Sequence, residues 1–191
     1  MVKAGVLALQ GAFREHREAL SALGVAVAEV RTAGELADVD ALVIPGGEST
    51  TMTHLLDTAS LREPLRAAIV AGLPVLGTCA GLIVLAHDVL DGRPDQAPLD
   101  VIDVTARRNA YGRQRDSFEA DLEIEGLDLP LFRGVFIRAP AIERVGDAVD
   151  VLSEHNGRPV LAREGHVWVT TFHPELARDS RVHERFLEEV A

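Results

Sequence analysis

The chain has 191 residues, 47% hydrophobic and 26% charged, which is ample apolar material for one substantial core and favours a single domain on the soft prior of ~150 residues per domain. Asp plus Glu total 30 against 19 Lys plus Arg, a formal charge of -11, which argues against a nucleic-acid partner because a general phosphate-backbone binder needs a cationic surface to displace counterions. No apolar stretch reaches the ~18 to 20 residues needed to cross a bilayer, and the single cysteine can make no internal disulfide. The expectation is a soluble cytoplasmic protein with a free thiol in a reducing compartment and no membrane partner.

In the first half, short apolar runs alternate with helical patterns, the signature of βαβ units and a parallel sheet covered on both faces. "KAGVLAL" reads as a buried strand, and "FREHREALSALG" as a helix with Phe13, Ala19, Leu20 and Leu23 at helical spacing and Gly24 as its stop. "VAVAEV" and "ALVIPG" read as strands, and "STTMTHLLD" opens a helix with Ser49 or Thr50 as cap. "SLREPLRAAIVAG" is a helix ended by Gly72, "PVLGT" a strand, and "AGLIVLAHDVL" a helix apolar nearly all round and hence buried. Beyond Gly92 the texture changes. "LDVIDVTARR", "SFEADLEI", "GVFIRAP", "VDVLSE", "PVLAREG" and "HVWVTTF" are strand-like with little helix between them, and "HNG" at 155–157 carries the Asn-Gly pair of a hairpin turn. "SRVHERFLEEV" closes the chain as a helix. A boundary near Gly92 is the alternative to an extended sheet within one domain over 1–191, and the second fits better because no linker-like segment separates the halves.

The lone cysteine lies in Gly77-Thr78-Cys79-Ala80-Gly81, a G-x-C-x-G counterpart of the nucleophile elbow. A nucleophile at a tight strand-to-helix turn projects from the sheet edge, and flanking glycines remove side chains that would collide there. The N-terminus of the following helix favours thiolate over thiol. The bland alternative is a small buried hydrophobe.

A thiol nucleophile needs a base, and the chain has seven histidines. His16, His54, His87 and His183 fall on expected helices, His155 in a turn and His166 at a strand start, each with a surface or capping role by default. His173 differs: it ends an apolar strand, precedes Pro174, and has Glu175 two residues on, so the carboxylate can return to hold the second ring nitrogen as the acid of a Cys-His-acid triad. Pro45-Gly46-Gly47 follows a strand and can turn backbone N–H groups towards a developing oxyanion, though an ordinary glycine turn is its plainer reading. The pattern offers no metal site, with no H-E-x-x-H, no CxxC and no close His pair, and no nucleotide motif.

Three stretches, "PGGEST", "GTCAG" and "FHPE", in this order and at these separations, resemble class I glutamine amidotransferases. The match is closer to one branch, the glutaminase subunits of pyridoxal 5'-phosphate synthases, through "GVLALQGAFREH", "PGGESTTM", "GTCAGLIVLA", "RNAYGRQRDSFEADL", "GVFIRAP", "VLSEHNG" and "TFHPEL", nearly from end to end. That resemblance implies an α/β fold of three layers, flavodoxin-like, with a mostly parallel sheet, helices on both faces and a β-rich second half. It implies hydrolysis of L-glutamine, with ammonia passed to a synthase subunit in a hetero-oligomeric complex and no cofactor in this chain. By the same resemblance Cys79 attacks the side-chain amide, His173 shuttles the proton and Glu175 orients His173. Gly46 and Gly47 supply an oxyanion N–H, Gly47, Glu48 and Ser49 line the glutamine pocket, and Arg108, Ile137 and Arg138 complete it, with Arg107 a rival for Arg108. Gln10 belongs to a segment that meets the synthase and helps set the oxyanion geometry on docking. The same chemistry serving another biosynthetic acceptor, and a catalytically silent regulatory subunit on the same fold, are the alternatives; the whole-chain motif set opposes the first and the intact Cys79, His173 and Glu175 oppose the second.

Overall fold

The computed structural model describes residues 2–93, 96–108 and 117–190. The first half runs β1 (Lys3–Leu7), α1 (Phe13–Ala22), β2 (Ala26–Val30), α2 (Ala33–Ala37), β3 (Ala41–Ile44), α3 (Ser49–Thr58), α4 (Arg62–Val70), β4 (Val75–Thr78), α5 (Ala80–Leu85) and β5 (Ala86–Leu90). The second half runs β6 (Ile102–Arg107), β7 (Phe118–Leu122), β8 (Phe132–Phe136), β9 (Ala141–Val145), β10 (Asp150–His155), β11 (Arg158–Glu164) and β12 (Val167–Thr170), then a 3₁₀ turn (Pro174–Leu176), α6 (Arg181–Leu187) and a final 3₁₀ turn (Glu188–Val190).

Seven strands form the central sheet in the order β10-β11-β12-β4-β3-β1-β2. From β2 to β12 every neighbouring pair is parallel, and β10 and β11 add an antiparallel edge. Alternation sends successive residues of a strand to opposite faces. In β3, Leu42 and Ile44 join Met52 and Leu56 of α3, Leu65 and Ile69 of α4 and Leu82 of α5. Ala41 and Val43 instead join Leu20 of α1, Val182 and Phe186 of α6, and Phe132 and Phe136 of β8. Each large apolar side chain so buried contributes about 1.5–3 kcal/mol before ordering costs, and sharing one sheet between two such layers is what makes the three-layer fold.

The second half is β-rich, as its sequence predicts, but it does more than lengthen the sheet. β5, β6 and β9 form a three-stranded sheet, and β7 pairs with β8 separately. The "HNG" turn joins β10 to β11 with both Asn156 (φ 53°) and Gly157 (φ 71°) left-handed, as a two-residue hairpin of primed type requires.

Two local expectations change. The helix read through "AGLIVLAHDVL" stops at Leu85; Ala86 turns extended (ψ 156°) and Ala86–Leu90 pairs in parallel with β6, because exposed His87 and Asp88 break the apolar surface and strand pairing overrides helical propensity. The cap of α3 is neither Ser49 nor Thr50 but Glu48, whose carboxylate accepts from the Thr50 and Thr51 N–H groups. Two elements go beyond the reading: α2, started by a Thr32–Glu35 capping box, and β9, which pairs antiparallel with β6.

Candidate active site

Cys79 stands where β4 ends and α5 begins, with φ 51° and ψ -101°, a conformation costing a non-glycine residue roughly 1–3 kcal/mol unless its surroundings enforce it. They do. The Cys79 N–H donates to Thr170 O at 2.8 Å, tying the elbow to the end of β12. A Cβ on Gly81 would collide with the Ile44 carbonyl, so only glycine lets α5 close down on β3. The side chain is 7% exposed and its Sγ lies 4.0 Å from Ile137 O. It is thus buried, as the bland reading has it, yet it lines the cleft described below.

The candidate base, His173, follows the neighbouring strand. β12 runs parallel to β4 with Thr170 opposite Thr78, so the chain leaving β12 passes the elbow within a few residues. His173 donates its backbone N–H to Val135 O on β8 at 2.8 Å. Pro174 then starts the 3₁₀ turn that brings Glu175 back, with Oε1 2.8 Å from His173 Nδ1. Nδ1 being taken, Nε2 is the nitrogen left for the thiol. Burial opposes the imidazolium, but hydrogen bonds to Cys79 and Glu175, and their charges, outweigh it and push His173 up to about 10. For Glu175, burial alone would raise the carboxyl; His16, then the hydrogen bond and charge of His173, hold it below its ordinary 4.5.

These groups open on a cleft of about 350 Å³, at the small end of the ~300–1,000 Å³ usual for small-molecule sites. Its floor is glycine backbone. A Cβ on Gly46 would come within 2.5 Å of His173 Cε1 and 3.3 Å of Cys79 Cβ, so glycine here lets the main chain lie against both. The Gly46 carbonyl accepts from the Ala12 N–H at 3.0 Å, which turns the trans-related Gly47 N–H the opposite way. Gln10 straps this loop: its Oε1 accepts from the Glu48 N–H at 3.2 Å and its Nε2 donates to Glu48 O at 3.3 Å.

Glu48, Ser49, Arg108, Ile137 and Arg138 also line the cleft. Arg108 donates to Gln96 Oε1 at 3.1 Å and to Glu48 Oε1 at 3.2 Å. Its rival Arg107 points elsewhere, held by Glu143 at 2.8 Å and Asp91 at 2.7 Å. Burial would raise the Glu48 carboxyl, but hydrogen bonds from Thr50 and Thr51 win and bring it down to about 2. Arg138 is exposed and left-handed (φ 48°), a strained residue at the cleft rim.

Sequence reasoning missed what lies behind Glu175. His16 and His183, given surface or capping roles by default, are both 0% exposed and meet beneath the triad. A signal existed: Phe13, His16 and Leu20 fall at i, i+3 and i+7 on the core face of α1, and Val182, His183 and Phe186 are the buried residues of α6. His87 lies on β5 rather than a helix and pairs with Asp100 at the surface. Of the "RNAYGRQRDSFEADL" motif, residues 109–116 lie outside the described residues.

A thiol, an imidazole and a carboxylate converge on one edge of a mostly parallel sheet beside a glycine-lined cleft, an arrangement suited to cysteine-dependent acyl transfer. More narrowly, the chain belongs to the SNO glutamine amidotransferase family, whose model matches residues 6–191. It is similar to the "Pyridoxal 5'-phosphate synthase subunit PdxT" of Frankia alni, 55% identical over 96% of this chain and 92% of that protein. The protein of the same name from Mycobacteroides abscessus is 54% identical over 97% of this chain and 96% of its own length. Among solved structures, one described as a glutamine amidotransferase is 48% identical with a TM-score of 0.92, covering 98% of both chains. PurLQS from Thermotoga maritima, at 18% identity and a TM-score of 0.71 over 99% of this chain and 95% of its own, shares the fold alone. Among the described residues no helix is long and apolar enough to cross a membrane.

Proposed function

We propose that this chain is the glutaminase subunit of a pyridoxal 5'-phosphate synthase: it hydrolyses L-glutamine to L-glutamate and ammonia and delivers the ammonia to a synthase subunit. The observation that carries the reading is the convergence of Cys79 with the His173–Glu175 pair at one cleft. His173 takes the thiol proton, and Cys79 Sγ attacks the carbon of the side-chain amide to give a tetrahedral oxyanion. The Gly47 N–H is the donor available to that oxygen. The C–N bond breaks as His173 returns the proton to nitrogen, releasing ammonia and leaving a glutamyl thioester. Water, deprotonated by His173, then attacks the thioester and frees glutamate and the thiol.

Glutamine is held at its other end. Its α-carboxylate meets Arg108, with Arg138 at the rim, while the backbone of Gly47, Glu48 and Ser49 and of Ile137 lines the slot; the separate engagement of Arg107 by Glu143 and Asp91 supports this choice of arginine. Gln10, strapped to Glu48, is the residue through which docking of the synthase sets the oxyanion loop. The whole of 1–191 acts as one domain, since both core layers share the seven-stranded sheet, and the biosynthetic role of the relatives supports a cytoplasmic location.

The test is glutamine-dependent pyridoxal 5'-phosphate formation when the chain is added to a synthase subunit of this type, alongside ammonia release with and without that subunit. Product formation that requires glutamine and this chain, with faster hydrolysis in the complex, is the expected result. Absence of product contradicts the pathway, and equal hydrolysis in both states contradicts docking control.

A further inference from the structure

The triad leaves unexplained a second pair of histidines. His16 Nδ1 lies 2.9 Å from His183 Nε2, with the rings edge to face at 65°. The remaining His16 nitrogen, Nε2, sits 3.1 Å from Thr78 Oγ1, on the residue before the nucleophile, and 3.2 Å from Glu175 Oε2. The alignment favours Thr78, so Oε2 has no well-directed hydrogen bond among the described residues and His16 Nε2 beside it. One buried imidazole therefore touches both the elbow that carries Cys79 and the acid that holds His173.

Counting protons gives the pair a direction. Burial pushes His16 down in spite of Glu175, and burial followed by His16 pushes His183 down to about 3, so near neutral pH each ring carries one N–H. A proton on His16 Nδ1 would aim the bare Nε2 lone pair at the Glu175 carboxylate in a dry core. A proton on Nε2 instead gives Thr78 Oγ1 and Glu175 Oε2 the positive edge of the ring. His16 Nδ1 is then an acceptor, so His183 must donate from its own Nε2. That leaves His183 Nδ1 as a lone pair, and Nδ1 has no hydrogen-bond partner among the described residues. An unmet acceptor costs less than a buried unmet N–H, so the assignment closes with the cheaper vacancy.

We propose that His16 is a positioning residue of this site: held by His183 as its Nε2–H tautomer, it clamps Thr78 and Glu175 together, fixing nucleophile against base and keeping the acid ionised. Triads demand such support, because the reacting groups work only within about 0.5 Å of their productive geometry, and Thr78 and Glu175 sit on elements almost a hundred residues apart in sequence.

The inference rests on the glutaminase reading, and the experiment separates the two. In the complex with the synthase, His16→Leu lowers kcat by roughly 10- to 100-fold, the range for partners one layer removed from a reacting group, with KM for glutamine little changed. Its acid limb moves to higher pH: losing His16 removes the Nε2–H edge that lies 3.2 Å from Glu175 Oε2 and favours the ionised carboxylate, so the carboxylate protonates earlier on acidification. The groups facing His16 are Glu175, His173, His183 and, on its own helix, Glu15. His16→Gln, whose amide N–H can reach the Nε2 place, recovers most of the loss. An unshifted acid limb in a folded His16→Leu, or a His16→Gln as impaired as His16→Leu, overturns the proposal. If His16→Leu does not fold, ¹⁵N-histidine NMR of the unaltered protein decides: both rings are expected as neutral Nε2–H tautomers at pH 7, and an Nδ1–H tautomer or a cation on either overturns it. Failure of the parent complex to release ammonia would instead sink the glutaminase reading and leave the NMR result standing.

Discussion

His173 has two sides, and they are built from different materials. On the cleft side it faces main chain, with Gly46 so close that a methyl group would strike the ring. On the inner side it faces side chains, Glu175 and behind it His16 and His183, each closed off from solvent. Under the proposed function the cleft side needs bare backbone, so that an amide can reach the thiol and an oxyanion an N–H, whereas the inner side needs satisfied polar side chains because it is closed to solvent. Substitutions on the cleft side should therefore act on chemistry or binding, and those on the inner side on chemistry and stability together.

The strongest way to break this division is at Cys79. Cys79→Ala should cut ammonia release by more than about 10³-fold while the fold and synthase association persist. Cys79→Gly should be as inactive yet more stable than Cys79→Ala by about 1 kcal/mol in denaturant unfolding, because φ 51° suits only glycine. Equal stabilities would mean that the elbow is not strained.

Binding comes next in size. Arg108→Met should raise KM for glutamine by roughly 10- to 100-fold, the loss of a charge-assisted hydrogen bond, whereas Arg107→Met should leave kinetics near the parent's. A reversed result would move the carboxylate site to Arg107 at the end of β6.

The inner side is sharpened by pH. His173 is raised from 6.5 to about 10, so its contribution to stability is full below pH 6.5 and is lost as pH rises through about 10. Thermal melts of the parent should fall over that window, and those of His173→Gln should fall less. The smallest effect on stability lies at the cleft rim, where Glu48 departs from the division because it also caps α3: Glu48→Ala should cost about 1 kcal/mol. Glu48 is lowered from 4.5 to about 2, so this contribution is present above pH 4.5 and lost as pH falls towards 2.

The cleft side was far more legible in the sequence than the inner one. Cys79 announces itself by its glycine flanks, and those flanks have a local cause, since Gly81 must touch Ile44 for α5 to sit on the sheet. His173 and Glu175 are two residues apart, and Pro174 dictates the turn between them. The parallel core of the first half was readable for the same reason, each apolar run carrying its own period. His16 and His183 are 167 residues apart in sequence; no local pattern shows that α1 and α6 meet under one strand end, and a polar residue within an apolar stripe reads as an exception until its partner is known. The helix-to-strand change at Ala86 was hidden likewise, because β6 decides it from outside the segment. Glu48 is hard to read as a cap because the serine and threonine beside it are the better candidates by type.

The proposed function stands or falls on Cys79 Sγ as the atom that attacks the glutamine amide. It is tested most directly by treating the complex with an electrophilic glutamine analogue and mapping the adduct by peptide mass spectrometry. One adduct per chain is expected, on Cys79, blocked by excess glutamine and formed much more slowly in His173→Ala. Modification at another residue, or labelling of Cys79 at an unchanged rate without His173 or in excess glutamine, would contradict it.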